Sequence, residues 1–138
     1  MFLSHAEDGV AGIETALRLS PHSPIASLWQ SHLGYLHNLL GRWEQVIDWC
    51  EKAVANNVRD KRAYALAALA GAYAWTGRDR QANDAVARLH KADPGFTVQT
   101  WADLGPTLSD DPTFKAQWAR VVKCLRKAGV PEGPAKTN

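Results

Sequence analysis

The chain has 138 residues, 16 of them basic and 14 acidic, for a formal net charge of +2. This length suits one domain that folds unaided and buries roughly two-thirds of its unfolded surface. The small, dispersed charge excludes a field strong enough to hold nucleic acid or an anionic membrane, and basic groups such as Lys123, Arg126 and Lys127 are expected on solvated helix faces.

MFLSHAEDG at the start has only two apolar residues after Met1, too few for a signal-peptide core. Cys50 and Cys124 lie in apolar-periodic segments without metal-type spacing, so free buried thiols in a reducing compartment, and hence a cytoplasmic protein, are expected. DGVAGIETALRLSP predicts a helix ending at Pro21, the second helix of a hairpin whose first helix would lie upstream. Residues 19 to 41 carry no Asp, Glu, Lys or Arg, yet Pro21, Pro24, three histidines and several polar side chains make them a poor bilayer span.

From Ile25 to Leu40 the residues Leu28, Trp29, Leu33, Leu36, Leu39 and Leu40 recur at steps of three and four, placing them on one helical stripe that Gly41 ends. Trp43, Val46, Ile47, Cys50, Ala53 and Val54 repeat the spacing, and Asn56-Asn57 is expected to close this second helix. RAYALAALAGAYAW follows, apolar almost all round, which predicts a helix covered on most sides and central to the fold. Its small residues Ala65, Ala68, Gly71 and Ala72 allow neighbours to approach closely. After Gly77, a helix through Ala82, Val86 and Leu89 runs to Pro94-Gly95.

FTVQTWADL predicts a short helix or turn, and GPTLSDDP a breaker-rich loop. Asp111 suits an N-cap and Pro112 a first helical position, opening a stripe of Phe114, Trp118, Val121, Val122 and Leu125 that Gly129 ends. VPEGPAKTN lacks periodicity and is expected to fray. The expected fold is therefore all-α: a helical domain over 1–129, with a leading half unit 5–21, full units 25–58 and 61–94, a capping segment 96–129, and a flexible tail 130–138.

Gly-Arg followed by an amphipathic run appears at Gly41 and again at Gly77, an interval of 36 residues. With Leu33-Gly34, Gly41 and Ala53 in one unit and Leu69-Ala70, Tyr73, Gly77, Ala82 and Pro94 in the next, the chain resembles the tetratricopeptide repeat over about residues 8 to 95. Ala16, Leu17 and Pro21 fill matching places in the leading half unit, while Gln30, His37, Val46, Cys50 and Val58 depart from the family pattern. The stretch from ADPGFTVQTWADL to DPTFKAQWARVVKCLRKAGVPEG is similar to the tetratricopeptide region behind class III adenylate cyclase or winged-helix regulator domains in rhizobial-type bacterial proteins. The resemblance implies a right-handed superhelical stack of antiparallel helix hairpins with a capping helix, acting as the C-terminal regulatory or scaffolding part of a larger signalling protein.

Catalysis is not expected, because no nucleophile, base and orienting group share a plausible segment. His32 and His37 lie about 140° apart on a helix, so they do not form a one-face metal pair, and a small metal-binding protein built on His22, His32 and His37 is the remoter alternative. No cofactor is expected. Glu44, Asp48, Glu51 and Lys52 belong to a water-facing helix surface, with Asp48 and Lys52 at pairing distance along it.

In tetratricopeptide arrays the first helix of each hairpin lines the concave side. The resemblance thus implies a groove of Leu28, Ser31, Tyr35, Asn38 and Leu39, then Tyr64, Ala67, Gly71, Ala74 and Trp75. Leu28, Tyr35, Asn38, Leu39, Tyr64 and Trp75 are the candidate partner-binding residues. Ser31, Tyr35, Ala67 and Gly71 replace the donors that let some family members clamp a peptide carboxylate, so an apolar or amphipathic protein segment is the expected partner. The same aromatics could instead fill a packed core, the chain could pair with a second copy through Ile13 and Leu17, or it could be a purely structural terminus.

Overall fold

The computed structural model describes residues 2–55 and 62–133, so the expected closure at Asn56-Asn57 and the tail beyond Gly133 lie outside the described residues. Among the described residues there are seven helices and no strand: α1 Phe2–Leu19, α2 Ala26–Leu40, α3 Trp43–Ala55, α4 Arg62–Trp75, α5 Asp79–Ala92, α6 Val98–Leu108 and α7 Pro112–Ala128. The protein is all-α. No described helix is long and apolar enough to cross a membrane.

Three helix ends share one chemistry. Gly41, Gly77 and Gly129 have φ of 72°, 79° and 91°, the left-handed region that glycine enters without a Cβ penalty. In each case the glycine N–H donates three residues back and the following N–H donates five back: Gly41 to Asn38 and Arg42 to His37, Gly77 to Ala74 and Arg78 to Tyr73, Gly129 to Arg126 and Val130 to Leu125. These bonds satisfy carbonyls that the helix leaves without partners. The turns at Gly41 and Gly77 fold α2 onto α3 and α4 onto α5.

The recurrence extends to the arginines. Arg42 pairs with Glu7 of α1, and Arg78 Nη1 pairs with Glu44 of α3 at 3.1 Å. Each Gly-Arg turn therefore reaches back to a glutamate on the helix preceding its own hairpin. Both pairs are open to water, which screens them, so they align the helices more than they stabilise them.

Helix α4 is the centre, packed by α3, α5, α7 and α2. Its run from Ala65 to Ala74 is buried throughout, which is why a helix with almost no polar face is tolerated there. Two close approaches set the spacing. At Gly34 an added Cβ would overlap Cys50 Sγ, and at Gly71 it would come within 2.9 Å of Cys124 Cβ, so each cysteine occupies the space that a glycine on the facing helix leaves. Both cysteines are free and buried; burial pushes the Cys50 thiol up to about 12 and the Cys124 thiol to about 11, far from reactive thiolates.

The C-terminal third departs from expectation in three ways. Helix α6 does not stop at Gly105-Pro106 but continues to Leu108. Pro106 falls near the helix end, where its missing N–H costs one bond, and the bare Gly105 backbone accepts the Trp118 ring, whose Nε1 donates to the Trp101 carbonyl at 2.6 Å. Helix α7 does more than cap the last hairpin: it lies against α4 and also meets α2, α5 and α1. Trp118, Val121, Val122 and Leu125 of its stripe are buried, and Cys124 stands against Gly71 in the small-residue face that α4 presents. Finally, residues 130–133 are held in place. Val130 is buried, the Pro131 and Glu132 carbonyls accept from Val98 N and Gln99 N at 2.8 and 3.1 Å, and Glu132 pairs with Arg126. These bonds serve N–H groups that the start of α6 would otherwise leave without partners.

Candidate functional site

Leu28 and Tyr35 on α2 and Tyr64 on α4 come together around a cavity of ≈ 410 Å³. Its remaining walls are Ser31 and His32 from α2, Leu104 and Leu108 from α6, and Trp118 from α7. The aromatic wall is continuous with the core: Tyr35 lies 5.8 Å from Tyr64 and 6.4 Å from Trp118, and Tyr64 lies 4.8 Å from Trp101, centroid to centroid. Leu28, Leu104 and Leu108 at the rim are 44%, 38% and 48% exposed, which is unusual for side chains of this size converging from two helices.

The other candidates go elsewhere. Asn38 and Leu39 are buried. Asn38 lies beside the Tyr64 hydroxyl, which burial pushes well above its ordinary range. Leu39 contributes its carbonyl to Arg120 Nη2 at 2.6 Å, an ion-to-carbonyl bond that pins α7 to the end of α2. Trp75 is about 16 Å along α4 from Tyr64 by helical rise, with its ring 5.8 Å from that of Trp43. Ala67, Gly71 and Ala74 are buried, and Cys124 of α7 stands against Gly71. Helix α7 thus covers much of the face that the register assigned to an open groove.

Electrostatically the cavity is quiet. Its lining carries no acidic, lysine or arginine side chain, and its one imidazole, His32, sits 5.7 Å from the Tyr35 ring. Burial raises the Tyr35 hydroxyl above its usual range, so it stays a neutral phenol across physiological pH. Such a surface favours uncharged apolar groups and offers the ring faces that anchor them.

A broader cleft of ≈ 570 Å³ lies between α3 and α5 over α4. In it Tyr73 donates its hydroxyl to Glu51, and Arg80, Asp84 and Arg88 form one rim. Of the surface charges on α3, Glu44 holds Arg78, while Lys52 Nζ lies 4.5 Å from the Trp49 ring centroid. Among the described residues no group of three or more His, Cys, Asp and Glu side chains converges as a metal site would require.

Leu104, Leu108 and Trp118 complete the site with Trp101 behind them; the sequence placed Leu104 at the end of a short helix or turn and Leu108 in a loop. The signal was present: Trp101, Leu104, Gly105 and Leu108 follow helical spacing, but Gly105-Pro106 masked it. No protein-family model, curated protein or solved structure matches this chain.

Proposed function

We propose that the chain is a non-catalytic protein-interaction module of the tetratricopeptide type, with α2–α3 and α4–α5 as its two full hairpins in a right-handed stack. The repeated Gly-Arg turn, with the same bonds and the same backward arginine–glutamate pair, supports that reading. The partner is a protein segment with an apolar or amphipathic face, and it seats large apolar side chains in the cavity at Leu28, Tyr35 and Tyr64. One observation carries this: exposed leucines of α2 and α6 surround an uncharged cavity walled by Tyr35, Tyr64 and Trp118. A role as the scaffolding or regulatory end of a larger signalling protein accords with a rigid binding surface without reactive groups.

Selection of a displayed library of amphipathic peptides on the intact chain tests the reading. Peptides recovered from wild type should lose about tenfold or more in affinity on Leu28→Asp and Leu108→Asp, at unchanged helical content, because a buried carboxylate opposes apolar insertion. Peptides that bind the variants and wild type equally would move the partner surface elsewhere. Failure to enrich any peptide, with the chain instead dimerising through the same leucines, would favour self-association.

A further inference from the structure

Helix α1 packs chiefly on α2, in an apolar cluster beside the main core, with a lesser contact to α7. Ala6 and Val10 pack on Leu33 and Leu36 of α2, with Ile13, Leu17, Leu40 and Trp49 around them, whereas the large cluster spanning α2 to α7 contains no α1 residue. On α2, positions 33, 36, 37 and 40 share one stripe, so His37 belongs to the seam on which α1 rests. His37 is 3% exposed, and neither ring nitrogen has a hydrogen-bond partner.

We infer that His37 is a proton-operated release for α1: protonation of its imidazole undocks α1 from α2 while α3 to α7 stay folded. An imidazolium in this seam would carry two N–H donors and a charge with nothing placed to accept them, a far worse state than the neutral ring. The charged groups around it do not remove the penalty. Helix α2 carries no Asp, Glu, Lys or Arg. From α1, Glu7 is committed to Arg42 of the following turn, and Glu14 favours the charged ring. From α3, the seam receives the Trp49 ring. Burial outweighs Glu14, and the imidazole is held below its ordinary pKa of 6.5.

The sign follows from linkage. A group with a depressed pKa in the docked state binds fewer protons there than when released, so docking is intact above pH 6.5 and weakens as pH falls below it. Each unit of depression weakens docking tenfold at pH values below both pKa values. Release would bare Leu33 and Leu36 and remove Ala6 from the wall of a second cavity that it shares with Leu36, Leu39, Phe114 and Gln117. An acid-dependent apolar surface on α2 is the functional consequence.

Backbone and histidine NMR between pH 7.5 and 5.5 on the full chain tests this. Amides of Val10, Ile13 and Leu17 should move toward random-coil shifts together with the His37 ring titration, while amides of α4 and α7 stay fixed. His37→Leu should keep α1 docked at pH 5.5, and Glu14→Gln should make release more complete at the same pH. Should His37→Leu fail to fold, the wild-type titration still decides: a His37 ring that protonates at or above pH 6.5 with α1 docked overturns the inference. Equal acid response of wild type and His37→Leu would overturn it as well.

Discussion

At the residue scale the two cysteines explain two glycines. Cys50 Sγ fills the volume over Gly34, and the Cys124 side chain fills that over Gly71, so helices α2 and α3, and α4 and α7, meet with little between their backbones. Gly34→Ala should destabilise the chain by about 1–3 kcal/mol through overpacking, although alanine favours helix at exposed sites. Cys50→Ala removes the overlapping sulfur and leaves the nearest Cys50 side-chain atom 3.9 Å from the new methyl. The double variant should therefore be more stable than the sum of the single effects predicts, a coupling measurable by urea unfolding. Additive losses would place the constraint at Gly34 elsewhere than in this contact. The glycines were legible in the sequence as helix ends or small seams, but which cysteine each faced was not, since that pairing joins residues on different helices.

At the element scale the helices with unambiguous punctuation were legible almost to the residue. Asp111 caps α7 by accepting from Phe114 N at 2.9 Å, Pro112 opens it and Gly129 ends it, as the sequence predicts. Asp111→Ala should cost about 1 kcal/mol, read as a lowered urea midpoint with unchanged slope. No loss of stability would mean the cap is supplied by other groups. Helix α6 was half legible, because Gly105-Pro106 has the local character of a stop. Tertiary contact overrode it: the Trp118 ring lies on Gly105, and the tail carbonyls of Pro131 and Glu132 serve the helix start.

At the scale of the whole molecule the C-terminal pair α6–α7 is integral to the fold. Helix α7 covers the small-residue face of α4, and Trp101 and Trp118 join Tyr35 and Tyr64 in one aromatic cluster. A chain ending at Gly95 should therefore lose cooperative unfolding and self-associate, since Ala67, Gly71 and Ala74 would lie open; calorimetry and gel filtration would detect both. A monomeric, cooperatively unfolding fragment would show that the hairpins suffice alone. The sequence by itself determined the helical class, the helix ends at Gly41, Gly77 and Gly129, the central place of α4 and the burial of both thiols, because periodicity, glycine conformation and side-chain polarity act within a few residues. Only the tertiary structure decided where α7 lies, that Leu104 and Leu108 join Leu28, Tyr35 and Tyr64 at one cavity, that Trp75 stands apart, and that His37 sits without partners under α1. Those facts depend on which faces of distant helices fit together, a question of shape and volume that local patterns do not encode.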